Sequence, residues 1–363
     1  MVYLTKRVLF LKGDFMKKKV VVGLSGGVDS SVAAYVLKEQ GYDVIGVTME
    51  IWKGDEGQTA IADAKAVAEV LGIPHYVMKF HDDFQEKVVD YFVSEYERGY
   101  TPNPCNMCNR KVKWEALLQR AKELGVDCVA TGHYAQIMQL ENGRYTIQNS
   151  VTATKDQTYA LYNLTQNQLE HTLMPIGAYA KDEIRKIAEK ANIPVAGKSD
   201  SQDICFIPDG DYAGFIERET GHKYEAGNFV DMQGNVLGQH KGIIFYTVGQ
   251  RKGLGLTAPT PLFVKELRPD TNEVVICKNE EFFEDTCYVS QMNYMAIEGI
   301  TEPIRAIGKV RYSHKGSPCT LSLLENGMVK CTFDEPQRAM TPGQAAVFYD
   351  GDHVLCGGTI EKL

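Results

Sequence analysis

The chain has 363 residues, of which 44% are hydrophobic and 24% charged, and its formal net charge at pH 7 is −8. This composition is that of an ordinary soluble globular protein, and the length predicts two or three domains. The acidic balance argues against tight non-specific binding to nucleic acid, because such binding needs many cationic contacts to phosphate. No apolar run is long enough to span a membrane. We therefore expect a cytoplasmic protein that does not bind membranes, and we expect a monomer.

The first fifteen residues faintly resemble a signal peptide, but their apolar stretch is short and no small-residue cleavage site follows. Met16 then begins the run MKKKVVVGLSGG, which is typical of the start of a domain. We interpret residues 1–15 as an N-terminal extension, or as the product of an upstream start codon.

From Met16 to about Asn192 the hydrophobic pattern alternates between strands and helices. The predicted strands are residues 18–23, 43–49, 75–80 and 128–131, and the predicted helices are residues 28–40, 59–71, 82–98 and 110–124. This alternation predicts a doubly wound parallel sheet, the α/β class. Ligands of such sheets bind at the carboxyl ends of the strands.

After about Pro208 the helical pattern fades, apart from a short stretch near residues 211–219, and short alternating runs separated by turn pairs follow. This pattern predicts mostly β structure. We therefore predict three domains: an α/β domain at residues 16–212, a small, mostly β middle domain at 213–277, and a C-terminal β-barrel at 278–363.

Nine cysteines, an odd number with no secretory signal, favour a reducing compartment over a disulfide framework. Six lie in strand-like apolar runs and are predicted to be small core residues: Cys128, Cys277, Cys287, Cys319, Cys331 and Cys356. The other three, Cys105, Cys108 and Cys205, lie in polar segments that we predict to be loops. Packing alone is a weaker explanation for a cysteine there.

A Gly- and Ser-rich turn connects the first predicted strand to the first predicted helix. Its residues are Gly23, Leu24, Ser25, Gly26, Gly27, Val28, Asp29, Ser30 and Ser31. Adjacent glycines allow the backbone to approach an anion, and the helix start directs N–H groups and the positive end of its dipole to the same place. The segment matches neither the Walker nor the dinucleotide-binding pattern. It predicts a phosphate site, in which Asp29 is a plausible ligand for Mg²⁺.

In this context the sequence SGGVDSS resembles the PP-loop of the N-type ATP pyrophosphatases. These enzymes cleave ATP between its α and β phosphates and adenylate an oxygen of the substrate. The loop alone leaves the substrate open, because synthetases and several tRNA-modifying enzymes share it.

Further segments narrow the resemblance. They are residues 101–109 (TPNPCNMCN), 130–134 (ATGHY), 155–157 (KDQ), 200–206 (DSQDICF), 311–313 (RYS) and 341–344 (TPGQ). Together with SGGVDSS they are similar to the tRNA-specific 2-thiouridylases from Met16 nearly to the end of the chain. The resemblance implies an adenine-nucleotide α-hydrolase-like domain, a small central tRNA-binding domain and a β-barrel. It also implies ATP-dependent 2-thiolation of the wobble uridine, U34, in the tRNAs for Lys, Glu and Gln.

The resemblance assigns the nucleophile to Cys108 and the persulfide-carrying thiol to Cys205, and the two could form a disulfide when oxidised. The chemistry is consistent with this assignment. AMP transfer turns a uracil oxygen into a leaving group, and an ionised thiol can then carry and release sulfur. A cysteine desulfurase or a sulfur-carrier protein is the expected sulfur donor.

Many members of the family have an Asp where this chain has Cys105, so the carboxylate that acts on the target base is missing here. The spacing Cys105-x-x-Cys108, together with Cys205, also provides three thiolates that could hold a 4Fe–4S cluster with one open iron. Two mechanisms therefore stay open, of which we favour the persulfide relay. A third interpretation, that Cys105 is a bystander thiol, stays open as well.

The resemblance also assigns contacts with both substrates. The ATP contacts are Gly23, Leu24, Ser25, Gly26, Gly27, Val28, Asp29, Ser30, Met49 and Gly132. The tRNA contacts are Asn103, Pro104, Cys105, His133, Lys155, Asp156, Gln157, Arg311, Tyr312 and Gln344. The modified base must be unstacked to enter the pocket, and an Arg–Tyr pair offers both a cation and a stacking face.

Three alternatives compete with this interpretation. An amidating synthetase would need an ammonia source, and it would leave the cysteine segments unexplained. A non-enzymatic protein that binds tRNA or metal would not need the intact phosphate loop. A CxxC thiol–disulfide oxidoreductase normally has its CxxC at the start of a helix in a thioredoxin-like unit, whereas this CxxC is predicted to lie in an Asn-Pro loop.

Overall fold

The computed structural model describes residues 18–51, 55–199 and 204–362. The predicted extension at residues 1–15 and the segment DSQD at residues 200–203 lie outside the described residues. The chain divides into two compact units. The first comprises residues up to 84, 110–158 and 164–200, and the second comprises residues 85–109, 159–163 and 201–363.

The strands of the described residues are β1 (Lys19–Gly23), β2 (Asp43–Glu50), β3 (His75–Lys79), β4 (Val129–Ala130), β5 (Ala135–Gln139), β6 (Tyr145–Asn149), β7 (Thr172–Leu173), β8 (Gly227–Val230), β9 (Val236–His240), β10 (Leu262–Arg268), β11 (Glu273–Lys278), β12 (Phe283–Tyr294), β13 (Ile304–Lys309), β14 (Ser317–Leu323), β15 (Val329–Arg338), β16 (Ala345–Asp350) and β17 (His353–Ile360).

The α-helices are α1 (Val28–Glu39), α2 (Asp55–Leu71), α3 (His81–Phe84), α4 (Asp90–Glu97), α5 (Pro104–Met107), α6 (Leu117–Glu123), α7 (Thr158–Leu161), α8 (Gln166–Glu170), α9 (Lys181–Lys190) and α10 (Tyr212–Thr220). Two stretches of π-helix, Gln85–Val89 and Cys108–Ala116, continue the helices before them.

The first unit is built on a parallel sheet with the strand order β3-β2-β1-β4-β7. Strand β1 is central, and its residues Val20, Val21 and Val22 are fully buried, as expected for a parallel strand covered on both faces. The predicted α/β class is confirmed. An antiparallel hairpin, β5–β6, was not predicted.

The second unit contains two β structures. Strands β10, β11, β8 and β9 form a four-stranded sheet in that order. Strands β12, β15, β14, β13, β16 and β17 follow one another in a barrel, which the pairing of β12 with β17 closes. The predicted β-rich second half and C-terminal barrel are confirmed, whereas the residue limits of the three domains stay a prediction.

The predicted loop around Cys105 and Cys108 was wrong. Helix α5 begins at Pro104, six residues before the predicted helix start at Arg110. The Oδ1 atom of Asn103 accepts the Cys105 N–H at 3.1 Å, and Pro104 occupies the first helical position. Both features stabilise a helix start. This CxxC therefore does begin a helix, so its supposed place in a loop no longer argues against an oxidoreductase.

Five of the six predicted core cysteines lie buried in β strands, namely Cys277, Cys287, Cys319, Cys331 and Cys356. Cys128 lies just before β4 and is only half-buried. Burial raises the pKa of its thiol to about 11.

Candidate active site

The phosphate loop of the first unit, residues 23–31, connects β1 to α1. Gly27 occupies the N-cap of α1, with φ −107° and ψ 165°, and no side chain caps the helix start. The first N–H groups of such a helix have no partner within the helix and can bind an anion. Gly26 has φ +70°, and a Cβ there would lie 2.6 Å from the Ala60 carbonyl oxygen. The loop therefore requires glycine at this turn.

Serine hydroxyls hold the loop together. The Ser30 Oγ accepts the Ser25 N–H at 3.1 Å and lies 3.2 Å from the Ser25 Oγ. The Ser31 Oγ donates to the Gly27 carbonyl at 2.8 Å. Ser25 itself is exposed. The hydroxyls of Ser30 and Ser31 thus support the loop from inside, while Ser25 is at the surface where a phosphate would bind.

The three hydrophobic residues among the predicted nucleotide contacts are partly or wholly buried. Leu24 and Val28 belong to the hydrophobic core of the first unit, so only their main chains are available to a ligand. Met49 is half-buried near the end of β2, opposite Met78 of β3. Its position at the carboxyl end of a strand next to central β1 suits an adenine contact.

Asp29, the predicted Mg²⁺ ligand, is already paired. The Lys181 Nζ lies 2.8 Å from its Oδ1 and 2.9 Å from its Oδ2. The Tyr134 hydroxyl donates to the same Oδ1 at 2.7 Å. An ion bound with the triphosphate takes most of its ligands from phosphate and water. Asp29 could supply one further ligand, which requires Lys181 to move away. No local pattern in the sequence indicates a role for Lys181.

Gly132 lies against the start of α1. A Cβ there would be 2.5 Å from the Ser30 nitrogen and 2.6 Å from the Asp29 carbonyl carbon. Close backbone packing therefore requires glycine at this position whether or not ATP is bound.

His133 is half-buried, and its Nδ1 lies 2.8 Å from the Thr131 Oγ1. Its ring contacts that of Trp114, with 5.3 Å between centroids. Burial, reinforced by the charge of Lys113, holds the pKa of His133 well below its usual value. A neutral imidazole can exchange hydrogen bonds with RNA but cannot form an ion pair with phosphate.

The predicted tRNA-binding segment Lys155–Gln157 is partly occupied by internal bonds. The Asp156 Oδ1 accepts the Ser150 N–H at 2.9 Å. The Gln157 Oε1 accepts the N–H of Tyr134 at 2.8 Å, and so supports the tyrosine that contacts Asp29. Lys155 ends a short 3-10 helix and is half-buried.

The thiol helix of the second unit comprises α5 and the start of the π segment at Cys108. Cys105 and Cys108 are three residues apart and share one helix face, but Cys105 is exposed whereas Cys108 is 7% exposed. Asn106 and Asn109 lie on the adjacent, buried face. The helix thus presents one accessible thiol and one shielded thiol.

The buried face of the thiol helix rests on residues 159–163, which we call the seat. The Asn109 Nδ2 donates to the Ala160 carbonyl at 2.8 Å, and the Asn163 Nδ2 donates to the Asn106 carbonyl at 3.0 Å. The Oδ1 atoms of Asn106, Asn109 and Asn163 are buried and have no hydrogen-bond partner among the described residues. Buried polar groups of this kind are rare in proteins and require an explanation.

Cys205 is exposed in a turn of the second unit. The next residue, Phe206, is buried and packs edge-to-face on Phe92 of α4, with 5.6 Å between centroids. It also contacts Phe215 of α10 at 5.2 Å. These contacts anchor the Cys205 turn at its C-terminal side.

The three thiols do not fit a metal cluster in this arrangement. Within residues 18–51, 55–199 and 204–362, no three His, Cys, Asp or Glu side chains are placed to bind one metal ion. All nine cysteines lie in these ranges, and none forms a disulfide there.

The remaining predicted tRNA contacts are in the second unit. Arg311 donates to the Arg338 carbonyl at 2.6 Å, while Tyr312 is exposed and contacts the Tyr159 ring edge-to-face at 6.1 Å. Gln344 donates from its Nε2 to the Thr101 carbonyl at 2.7 Å. Gln344 therefore holds the segment that leads into the thiol helix.

Comparisons with known proteins agree with this architecture. Three family models match in succession: the tRNA methyl transferase HUP domain at residues 18–209, the tRNA methyl transferase PRC-barrel domain at 213–278, and the aminomethyltransferase beta-barrel domain at 284–360.

Full-length relatives are also similar. The tRNA-specific 2-thiouridylase MnmA of Lachnoclostridium phytofermentans is 57% identical over 356 residues, which cover 95% of this chain and 100% of the relative. The protein of the same name from Clostridioides difficile is 51% identical over 358 residues, which cover 96% and 99%.

Among solved structures, the U34-tRNA thiolase NcsA from Methanococcus maripaludis with its 4Fe–4S cluster is 20% identical. The match covers 56% of this chain and 66% of that one, with a TM-score of 0.36. A likeness at this level supports no argument about the present chain. In the described residues, no helix has both the length and the apolar character needed to cross a membrane.

Proposed function

The chain belongs to the tRNA-specific 2-thiouridylase family, and we propose that it catalyses ATP-dependent 2-thiolation of the wobble uridine, U34, in the tRNAs for Lys, Glu and Gln. The observation that carries the proposal is the presence in one chain of an uncapped Gly-Ser phosphate loop and a CxxC helix with an exposed and a shielded thiol. The first suits cleavage of ATP, and the second suits transfer of sulfur.

The first half-reaction uses the phosphate loop. The C2 oxygen of the uracil attacks the α-phosphorus of ATP, pyrophosphate leaves, and the base carries AMP on that oxygen. The N–H groups at the start of α1 and the Ser25 hydroxyl bind phosphate. Asp29 would hold a Mg²⁺ ion bound with the nucleotide, and this ion would supply positive charge to the phosphate groups.

The second half-reaction uses the thiols. The terminal sulfur of a Cys205 persulfide attacks C2, and AMP leaves with the original oxygen. The Cys108 thiolate then attacks the Sγ atom of Cys205. This breaks the bond between that Sγ and the sulfur now attached to C2, and leaves a thiocarbonyl on the base. The two cysteines end as a disulfide, which a thiol reductant returns to the starting state. A cysteine desulfurase or a sulfur-carrier protein loads Cys205.

Cys105 stands where the family resemblance implies an aspartate, so an aspartate carboxylate cannot act on the base from this position. A 4Fe–4S cluster on Cys105, Cys108 and Cys205 is the second candidate for sulfur delivery. We favour the relay, because the described residues do not bring three metal ligands together, and we derive no step through a cluster.

The proposal assigns the tRNA to groups at several places in the chain. Lys155 and Arg311 are the cations for RNA phosphate, and exposed Tyr312 offers a stacking face. Six further residues lie in segments that we propose to contact the tRNA, namely Asn103, Pro104, Cys105, Asp156, Gln157 and Gln344. His133 contributes as a neutral hydrogen-bonding group.

The test is a thiolation assay on protein purified without oxygen. The protein receives a tRNA transcript, ATP with Mg²⁺, and a desulfurase with cysteine, and the nucleosides are analysed by mass spectrometry. We expect 2-thiouridine at the wobble position only with ATP, together with AMP and pyrophosphate. Thiouridine formation without ATP, or none with it, would contradict the proposal.

An iron assay and an absorbance spectrum of the same sample separate the two sulfur mechanisms. Active, colourless, iron-free protein supports the relay. Absorbance at about 400 nm that disappears in Cys105→Ala together with activity supports the cluster.

A further inference from the structure

The thiol helix changes its hydrogen-bond register at the proposed nucleophile. Helix α5 ends at Met107, and the π segment begins at Cys108. A change from α to π register alters which N–H group each carbonyl accepts. π-Helical turns are rare and frequently occur at functional sites.

A side chain from the seat supplies a donor at this junction. The Asn163 Nδ2 donates to the main-chain carbonyl of Asn106 at 3.0 Å, and Asn163 is 4% exposed. The Asn163 Oδ1 is buried and has no partner among the described residues. An unsatisfied buried oxygen is unfavourable, and an apolar side chain of similar size would avoid it. We infer that the role of the Asn163 amide is the hydrogen bond that it donates to the Asn106 carbonyl.

The seat is itself held firmly within the second unit. The Tyr159 hydroxyl donates to the Ala345 carbonyl of β16 at 2.8 Å, and the Asn293 Nδ2 of β12 donates to the Tyr162 carbonyl at 2.8 Å. Through the seat, Asn163 therefore connects the thiol helix to strands of the barrel. Its contact on the helix is the carbonyl of Asn106, two residues before Cys108.

We propose that Asn163 is a positioning residue for Cys108: by binding the Asn106 carbonyl it fixes the α-to-π junction and holds the Cys108 thiol in its shielded orientation. Without this bond the junction loosens, and the thiol becomes accessible and poorly aimed. The role of Cys108 as nucleophile rests on the proposed function, but the shielding of its thiol can be measured independently.

The test compares alkylation rates of individual cysteines by mass spectrometry after timed exposure of the full chain to iodoacetamide. In Asn163→Ala we expect the Cys108 rate to rise about tenfold, the factor expected for the loss of one buried hydrogen bond. Cys105 and Cys205, which are already exposed, should change by less than about twofold. Unchanged Cys108 alkylation in folded Asn163→Ala overturns the proposal.

Asn293→Ala is the matched control. It removes an amide-to-carbonyl bond from β12 to the same seat. The Tyr159–Ala345 bond still holds the seat, so the Cys108 rate should rise clearly less than in Asn163→Ala. An equal rise in both variants would reduce the effect to general loosening and overturn the proposal. If Asn163→Ala does not fold, Asn163→Leu keeps about the same side-chain size but has no donor, and it should show the same rise. Unchanged labelling in that variant also overturns the proposal.

Activity gives a second measurement. Asn163→Ala should release pyrophosphate from ATP and tRNA at the wild-type rate but form 2-thiouridine about tenfold more slowly, since only sulfur transfer depends on the thiol. A parallel loss of both steps contradicts a positioning role. If labelling changes as expected but the wild type forms no thiouridine, the proposed function fails while the positioning of Cys108 stands.

Discussion

The phosphate loop and the thiol helix are built in opposite ways. In the loop, the bonds of Ser25 and Ser31 reach only five and four residues along the chain. The thiol helix is held by bonds that span 51, 57 and 243 residues, from Asn109, Asn163 and Gln344 respectively. The serine bonds of the loop are therefore local, although Lys181 and Lys198 also bind Asp29 and the Gly26 carbonyl across 152 and 172 residues. The thiol helix depends on the folded second unit.

The two regions also differ in how well their buried polar groups are satisfied. Buried oxygens without partners among the described residues include those of Thr101, Asn106, Asn109 and Asn163, around the thiol helix, and none from the phosphate loop. Each such group costs about 1–3 kcal/mol. The buried side-chain groups of the loop are satisfied before any ligand arrives, while the thiol helix is maintained against a free-energy cost. We infer that the second region is the one in which geometry is more easily disturbed.

The largest expected effect on activity comes from a variant that disables sulfur transfer alone. Cys205→Ser should lower 2-thiouridine formation by more than about a thousandfold, because the persulfide carrier is lost, while pyrophosphate release continues. Nucleoside mass spectrometry and a pyrophosphate assay measure the two steps. Cys128→Ser, outside the proposed site, is the control, and normal thiolation by Cys205→Ser would exclude both sulfur mechanisms.

The next largest effect comes from a variant of the phosphate loop. Asp29→Ala should slow pyrophosphate release about a hundredfold and leave Cys205 able to accept sulfur, as followed by mass spectrometry of the persulfide. Lys181→Ala removes the cation that occupies the carboxylate. If Asp29 binds Mg²⁺, this variant should reach half-maximal rate at lower Mg²⁺. An unchanged rate in Asp29→Ala would argue against any role of that carboxylate.

A third variant tests how far the loop is locally encoded. Gly132→Ala places a Cβ 2.5 Å from the Ser30 nitrogen, which we expect to destabilise the first unit by about 2–3 kcal/mol and to weaken ATP binding. Gly197→Ala, where a Cβ meets open space, serves as the control. Chemical denaturation and nucleotide titration measure both. A stable Gly132→Ala would show that the loop does not need this distant support.

The smallest effect concerns pH. The pKa of His133 is lowered in the folded protein, so the unfolded state binds the proton more readily. Its contribution to stability is present above about pH 6.5 and falls as the pH drops toward the folded pKa, by about 1.4 kcal/mol for each unit of depression. His133→Gln should therefore flatten the acid side of the stability profile in urea titrations. An unchanged slope would mean that the imidazole titrates normally.

The sequence predicted the fold well, because strand–helix alternation and the Gly-Ser turn are local patterns. It missed the start of the thiol helix, although Asn103 before Pro104 is a recognisable N-cap followed by proline at the first helical position. The weight given to the Asn-Pro pair as a loop signal caused that error.

Other features left no signal in the sequence. Lys181 reaches Asp29 across 152 residues, and Asn163 reaches Asn106 across 57. A π register adds one residue to a turn, so a 3.6-residue hydrophobic pattern does not reveal it. Such contacts become visible only in the folded chain.

The most direct measurement follows the uracil oxygen. A tRNA that carries ¹⁸O at C2 of the wobble uridine is thiolated with unlabelled ATP, and the released AMP is analysed by mass spectrometry. If the phosphate loop adenylates that oxygen before sulfur replaces it, one AMP that carries a single ¹⁸O atom will be released for each 2-thiouridine formed. Unlabelled AMP alongside full thiolation would contradict the account.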